Sequence, residues 1–231
     1  MMPAETPTAM AARNAWLEAD NARLRRLLER HDAPAELRHR LRATLGLLRE
    51  IIRRSAGFRP EAAVYAAHLE DRLLSLVRMH GAIDRSGEVD LHTAFADELV
   101  TYTLHEGQRL RLSGPDILLQ TRTAQTLGLA IHELAVNAVE HGAGTGSEGR
   151  IDVSWRLEDG APDPILRILW KETGLTGVAP PSHRGFGTQV LDEMMRHNLD
   201  AETELAYDPD GFRYTLAFSM PPHVGRKAEP R

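Results

Sequence analysis

The 231-residue sequence has no cysteine and few aromatic residues, and it has no long apolar run. Without cysteine the chain can form neither disulfide bonds nor thiolate metal ligands and nucleophiles. Its 28 Lys and Arg residues are slightly outnumbered by 33 Asp and Glu residues, so its charge does not predict a nucleic-acid partner. No segment approaches the roughly 18 to 20 apolar residues of a membrane-spanning helix. Residues 1–12 also lack the apolar core of a secretion signal, and we therefore expect a cytoplasmic protein without membrane insertion.

The first part of the chain, residues 11–56, is rich in Leu, Arg, Glu and Ala, and Pro34 divides it. This composition predicts two helices. The first helix has a short apolar stripe that fits either a coiled coil or a docking surface for a separate sensor protein. The members of this stripe are Trp16, Leu17, Leu24, Leu27 and Leu28.

Two further apolar stripes predict a helical hairpin on either side of a break at residues 57–60. Their spacing of three and four residues places each stripe on one helix face. The stripes consist of Leu37, Leu41, Leu45, Leu48 and Ile52, and of Ala66, Leu69, Leu73, Leu76 and Val77. A single hairpin leaves such stripes exposed, so we expect two copies to form a homodimer through a four-helix bundle.

Beyond Asp84 the sequence alternates between strand and helix patterns and predicts a second, α+β domain. The predicted strands are 109–112, 151–155, 165–170, 203–207 and 212–218, and the predicted helices are 90–104, 122–141 and 188–197. The expected division of the chain is therefore an N-terminal helix at 1–31, a hairpin at 32–88, a mixed domain at 89–222 and a disordered tail at 223–231.

The helix predicted at 122–141 has one apolar and one polar stripe. The apolar stripe consists of Leu127, Ile131, Leu134 and Ala138, and the polar stripe of Glu133, Asn137 and the pair Glu140 and His141. An Asn oxygen can ligate a hard cation that bridges phosphates, and a Glu can orient or deprotonate a nucleophile. Taken alone, this stripe fits a nucleotide site and a solvated helix face equally well.

Two downstream segments favour the nucleotide site. Glu172 follows a predicted strand and could accept a hydrogen bond from a purine amino group, while Gly174 permits close approach of a ligand. The segment Arg184-Gly185-Phe186-Gly187-Thr188 directly precedes a predicted helix, whose first N–H groups favour phosphate.

Three ordered motifs, at residues 132–138, 170–172 and 185–187, closely resemble the N, G1 and G2 boxes of the HWE group of histidine kinases. That group takes its name from a His in the first box and a Trp-x-Glu in the second, and both are present here. The resemblance extends over about residues 35–221. It implies a GHKL α/β sandwich with a Bergerat-type ATP site, preceded by the dimeric hairpin.

The resemblance also implies a set of functional residues. His39, in a segment similar to the family's phospho-acceptor helix, would be the acceptor, and its position about 200° from Leu37 and Leu41 points it to solvent. Glu133 would orient or deprotonate this histidine, and Asn137 would be the Mg²⁺ ligand. The implied ATP contacts are His132, Asn137, His141, Trp170, Glu172, Gly174, Arg184, Gly185, Gly187 and Thr188. The implied activity is autophosphorylation from ATP, followed by transfer to an aspartate of a response-regulator receiver domain.

Two positions depart from the family pattern and support alternatives. Ala43 stands where the family usually has Asn, and Glu140 stands where it tends to have Lys. Both changes favour a phosphotransfer or scaffold protein with a weakened ATP site. A GHKL serine kinase of the anti-sigma type is a third interpretation, but it leaves the His39 helix unexplained.

Overall fold

The computed structural model describes most of the chain beyond residue 59. The described residues are 60–83, 87–102, 107, 109–144, 148–175, 178–180 and 185–228. The predicted N-terminal helix, the first helix of the predicted hairpin with His39 and Ala43, and Arg184 lie outside these residues.

The first described helix, α1, comprises Pro60–Gly81 and packs against the later helix α3 (Thr121–Glu140). Its contact is close because Gly128 of α3 has no side chain: a Cβ there would lie 2.7 Å from Cε of Met79. Ser75 donates a hydrogen bond to the Gly128 carbonyl oxygen at 3.5 Å. The buried side of α1 therefore includes Ser75 and Met79, whereas Leu69 and Leu73 of the predicted apolar stripe are only partly buried.

A five-stranded sheet forms the scaffold of the rest of the described chain, in the order β2-β4-β5-β7-β6. Its strands are β2 (Leu110–Ser113), β4 (Arg150–Glu158), β5 (Ile165–Thr173), β6 (Glu202–Asp208) and β7 (Gly211–Ser219). Strand β2 is parallel to β4, and the other pairs are antiparallel. These five strands occur where the sequence predicted them, with ends that differ by at most three residues.

A second, three-stranded sheet was not predicted. It is antiparallel and consists of β1 (Glu88–Asp90), β3 (Ile117–Gln120) and β8 (Gly225–Lys227). The prediction of a disordered tail from residue 223 is therefore wrong for β8. Arg226 anchors this strand through two hydrogen bonds to the carboxylate of Glu88, at 2.9 and 2.8 Å. Strands of three or four residues are too short to give a clear alternation of apolar and polar residues.

The helices lie close to their predicted positions. Helix α2 comprises Leu91–Val100. Asp90 is its N-cap, and the side chain of Asp90 accepts a hydrogen bond from the Thr93 backbone N–H at 2.8 Å. A helical run later in the chain consists of α4 (Phe186–Gln189), a π-helical turn (Val190–Met194) and α5 (Met195–Leu199).

The core forms between the helices and alternate residues of the sheet strands. The predicted apolar stripe of α3 is entirely buried, and so are Tyr214, Leu216 and Phe218, which share one face of β7. The described residues thus have the mixed helix and sheet architecture that was predicted, and the dimeric bundle stays a prediction. Within the described ranges, no helix is both long and apolar enough to cross a membrane.

Candidate nucleotide-binding and phosphoryl-transfer site

The structure brings the polar stripe of α3 next to the glycine segment at the start of α4. A Cβ placed on Gly187 would lie 2.9 Å from Oε2 of Glu133 and 3.8 Å from Nδ2 of Asn137. Glu133 is 4% exposed, and Asn137 is half-buried. Two motifs that are distant in the sequence therefore share one small space, which a side chain at position 187 would fill.

A residue that the sequence did not single out also reaches this space. Arg72 of α1 donates to both carboxylate oxygens of Glu133, through Nε to Oε1 at 2.6 Å and through Nη2 to Oε2 at 3.2 Å. The guanidinium carbon of Arg72 lies 4.1 Å from the ring centroid of Phe186, the first residue of α4. No local motif marks Arg72, because its partners lie on other elements.

Just beyond the C-terminal end of α3, Glu172 is buried against the following loop and is 2% exposed. Its Oε2 accepts from the Ala143 backbone N–H at 2.7 Å, and its Oε1 accepts from the Trp170 indole N–H at 3.0 Å. Burial raises the pKa of Glu172 above its ordinary value, and the two hydrogen bonds oppose this effect only in part. Gly142 makes the arrangement possible, because a Cβ there would overlap the Glu172 carboxylate.

The Trp-x-Glu pair therefore has a structural basis. Trp170 and Glu172 are two residues apart on β5, so both side chains point to the same face of the sheet. Trp170 is completely buried in the core, which makes it a support for Glu172 rather than a stacking surface for a base. Gly174 follows with a φ of +76°, and a Cβ there would lie 2.5 Å from the Glu148 carbonyl oxygen. Packing against Glu148 therefore requires glycine at position 174, whether or not a ligand approaches there.

His132, which was predicted to contact the nucleotide, belongs to a buried polar network, and the predicted contact stays a prediction. It is 2% exposed, and its Nδ1 lies 3.0 Å from Oε1 of Glu98 and 2.9 Å from the Tyr102 hydroxyl. Arg78 of α1 donates two hydrogen bonds to the same Glu98 carboxylate, at 3.0 and 2.6 Å. Burial alone would raise the pKa of Glu98, but the bonds from His132 and Arg78 outweigh it and lower the pKa. His132 therefore holds α3 against α2.

The structure describes three of the remaining predicted residues, His141, Gly185 and Thr188. His141 ends α3 and is exposed, with its Nε2 3.7 Å from Glu140 Oε2. Gly185 caps α4 in an extended conformation, and Thr188 is half-buried within that helix. His39 and Arg184 fall outside the described residues, so their predicted roles stay predictions.

A cavity of about 310 Å³ opens beside Glu133, between α1 and α3. From α1 it is lined by His68, Asp71 and Arg72, and from α3 by Glu133 and Glu140, among others. The face of Glu133 that meets Arg72 therefore borders a space large enough for a side chain from another segment.

Comparisons with known proteins find similarity to histidine kinases. The sequence model described as HWE histidine kinase matches residues 36–116. The chain is 30% identical over 183 residues to the blue-light-activated histidine kinase of Rhizobium johnstonii, a match that covers 78% of this chain and 51% of that protein. It is 34% identical over 169 residues to blue-light-activated histidine kinase 1 of Erythrobacter litoralis, covering 70% of this chain and 46% of the relative. The chain thus spans about half the length of these relatives.

A solved structure has the same fold. The histidine kinase domain of the Erythrobacter litoralis EL346 blue-light activated histidine kinase superposes with a TM-score of 0.52 at 16% identity, covering 81% of this chain and 94% of that one. The described residues therefore have the fold of that histidine kinase domain. In sequence, the chain is similar to the HWE histidine kinase family, whose model matches residues 36–116, and to the two blue-light-activated histidine kinases named above.

Proposed function

We propose that the chain is an ATP-dependent histidine kinase that phosphorylates His39 and passes the phosphoryl group to an aspartate of a response regulator. The observation that carries this proposal is the convergence of Glu133, Asn137 and Gly187 on one space. The similarity of the chain to HWE histidine kinases supports the same activity.

In this proposal Glu172 recognises the adenine end of ATP. A carboxylate can accept about four hydrogen bonds, so the donors Ala143 and Trp170 leave capacity for an exocyclic amino group. The same two donors fix the direction in which Glu172 presents its oxygens. We also propose that Gly174, Arg184, Gly185 and Thr188 contact ATP, and that His141 lies at the edge of the ATP site.

The phosphate end would accommodate Mg²⁺ next to Asn137, because the gap opposite Gly187 is bordered by the Glu133 carboxylate and the Asn137 side-chain amide, and carboxylate and amide oxygens are ligands that hard cations prefer. When bound there with the nucleotide, Mg²⁺ would supply neutralisation of phosphate charge. Glu133 would orient the acceptor imidazole. The neutral nitrogen of His39 would form its bond to the γ-phosphorus as the bond to the β,γ-bridging oxygen breaks, and ADP would leave.

We further propose that residues 32–88 form the dimeric hairpin, that residues 89–222 bind ATP, and that residues 1–31 dock a separate sensor protein. The apolar stripes of the sequence support the dimer. The second phosphoryl acceptor in this scheme is an aspartate of a receiver domain. This part of the proposal rests on the similarity to histidine kinases alone.

Incubation with γ-labelled ATP and Mg²⁺ tests this function. We expect acid-labile, base-stable label on the wild type, and none on His39→Ala or Asn137→Ala. Label that survives His39→Ala would overturn the acceptor assignment, and failure of the wild type to bind nucleotide would overturn the site.

A second candidate is a phosphotransfer or scaffold protein with a weakened ATP site. Glu140 favours it, because this carboxylate lines the cavity beside Glu133 and adds negative charge near the proposed phosphates. In the same experiment, nucleotide binding without any label would support this candidate over the kinase.

A further inference from the structure

We infer that Arg72 is a positioning residue of the phosphoryl-transfer site, which acts by holding the carboxylate of Glu133. This inference rests on the proposed function. Arg72 lies on α1, in the predicted hairpin, whereas Glu133 and Gly187 lie in the predicted ATP-binding domain. The hairpin thus contributes a side chain to a site that the sequence motifs place wholly in the other domain.

The geometry of the ion pair fixes the direction of Glu133. Two hydrogen bonds, at 2.6 and 3.2 Å, join the flat guanidinium to both carboxylate oxygens. A two-point contact of this kind restricts rotation of the carboxylate far more than one hydrogen bond does. With Arg72 in place, Oε2 of Glu133 also faces Gly187, where a Cβ would lie 2.9 Å from this oxygen.

Arg72 is itself held in place. Its side chain is 15% exposed, and the Phe186 ring stacks beneath its guanidinium. Because Phe186 directly precedes Gly187, the same cation contacts both sides of the gap, Glu133 on α3 and the start of α4. The position of α1 therefore determines how Glu133 is presented to the phosphate end.

Loss of Arg72 leaves a buried carboxylate without its cation. An unpaired buried carboxylate is unfavourable, so Glu133 would turn towards other donors or water. A misplacement of about 1 Å at a reacting centre can cost up to roughly 100-fold in rate. We expect Arg72→Gln to slow autophosphorylation at saturating ATP by about 10- to 100-fold, with little change in KM for ATP.

The matched control is Arg78→Gln. Arg78 lies on the same helix and makes the same two-point contact with a buried carboxylate, that of Glu98, but it does not contact the proposed site. Both variants weaken the packing of α1, so both should lower the melting temperature. Only Arg72→Gln should slow transfer when rates are compared per folded molecule below the melting transition.

Two further variants separate positioning from a structural role. Arg72→Lys, which offers one charged contact instead of a fork, should restore part of the rate. Arg72→Gln added to Glu133→Gln should slow transfer no further than Glu133→Gln alone, because Arg72 acts through that carboxylate.

The labelled-ATP assay on these variants decides the inference. Equal rates for Arg72→Gln and Arg78→Gln, a rate above that of the wild type, or additive losses in the double variant would each overturn it. Absence of label on the wild type would overturn the proposed function, and this inference with it. A selective loss in Arg72→Gln, with partial recovery in Arg72→Lys, supports it.

Discussion

The two ends of the site hold their carboxylates in different ways. Glu172 is held by neutral donors that come from its own strand and from the loop after α3. Glu133 is held by a cation from α1, a helix that the sequence prediction assigns to the hairpin rather than to the mixed domain. The adenine end is therefore built into the domain that carries it, whereas the phosphate end depends on the position of another helix.

The largest effect is expected from Trp170→Ala at the adenine end. Removal of a completely buried Trp leaves a cavity, and such changes cost about 3 to 5 kcal/mol of unfolding free energy. Trp170→Phe keeps most of the volume and removes the donor to Glu172, for a smaller loss of about 1 kcal/mol beyond repacking. Urea unfolding measures both. A loss of unfolding free energy below about 1 kcal/mol for Trp170→Ala would show that Trp170 does not support the adenine end of the site.

The next effect is expected from Glu172→Gln, which should weaken ADP binding roughly 10- to 100-fold, as for loss of a hydrogen bond to a charged group. A calorimetric titration measures this. An affinity equal to that of the wild type would refute the role of Glu172.

The same variant tests the pKa of Glu172 through stability. Because burial raises the pKa, the native state binds this proton more tightly than the unfolded state, whose ordinary value is 4.5. Wild-type stability from this group therefore falls as pH rises through the interval above 4.5. We expect the wild type to gain stability relative to Glu172→Gln as pH is lowered towards 4.5. A shift in the opposite direction, seen by urea unfolding, would contradict the raised pKa.

The smallest effect on stability is expected from Gly187→Ala at the phosphate end. The new Cβ would lie 2.9 Å from the Glu133 carboxylate, which must shift, while alanine favours the helix by up to about 1 kcal/mol. Transfer should therefore slow with little loss of unfolding free energy. Gly81→Ala is the control, since no atom lies within 4 Å of a Cβ there. Equal transfer rates for the two variants would count against contact between Gly187 and Glu133.

The same contrast explains what could be predicted from the sequence. Helix α3 and the four longer strands of the large sheet have clear periodicity, and Glu172 was singled out by its position at the end of one predicted strand. Arg72 could not be found in this way, because its contact with Glu133 joins two helices far apart in the chain. The hydrogen-bond partners of His132 could not be predicted either, because Glu98 and Tyr102 are brought to it only by the packing of the fold. The three-residue strands β1 and β8 are fixed by pairing with β3 rather than by their own sequences.

Affinity for Mg²⁺·ADP, measured side by side for Arg72→Gln and Glu172→Gln, tests the central contrast most directly. We predict that Glu172→Gln weakens binding, whereas Arg72→Gln binds like the wild type, because Arg72 serves the transfer step at the other end. Equal weakening in both variants, or weakening in Arg72→Gln alone, would contradict the division of the site into an adenine end and a transfer end.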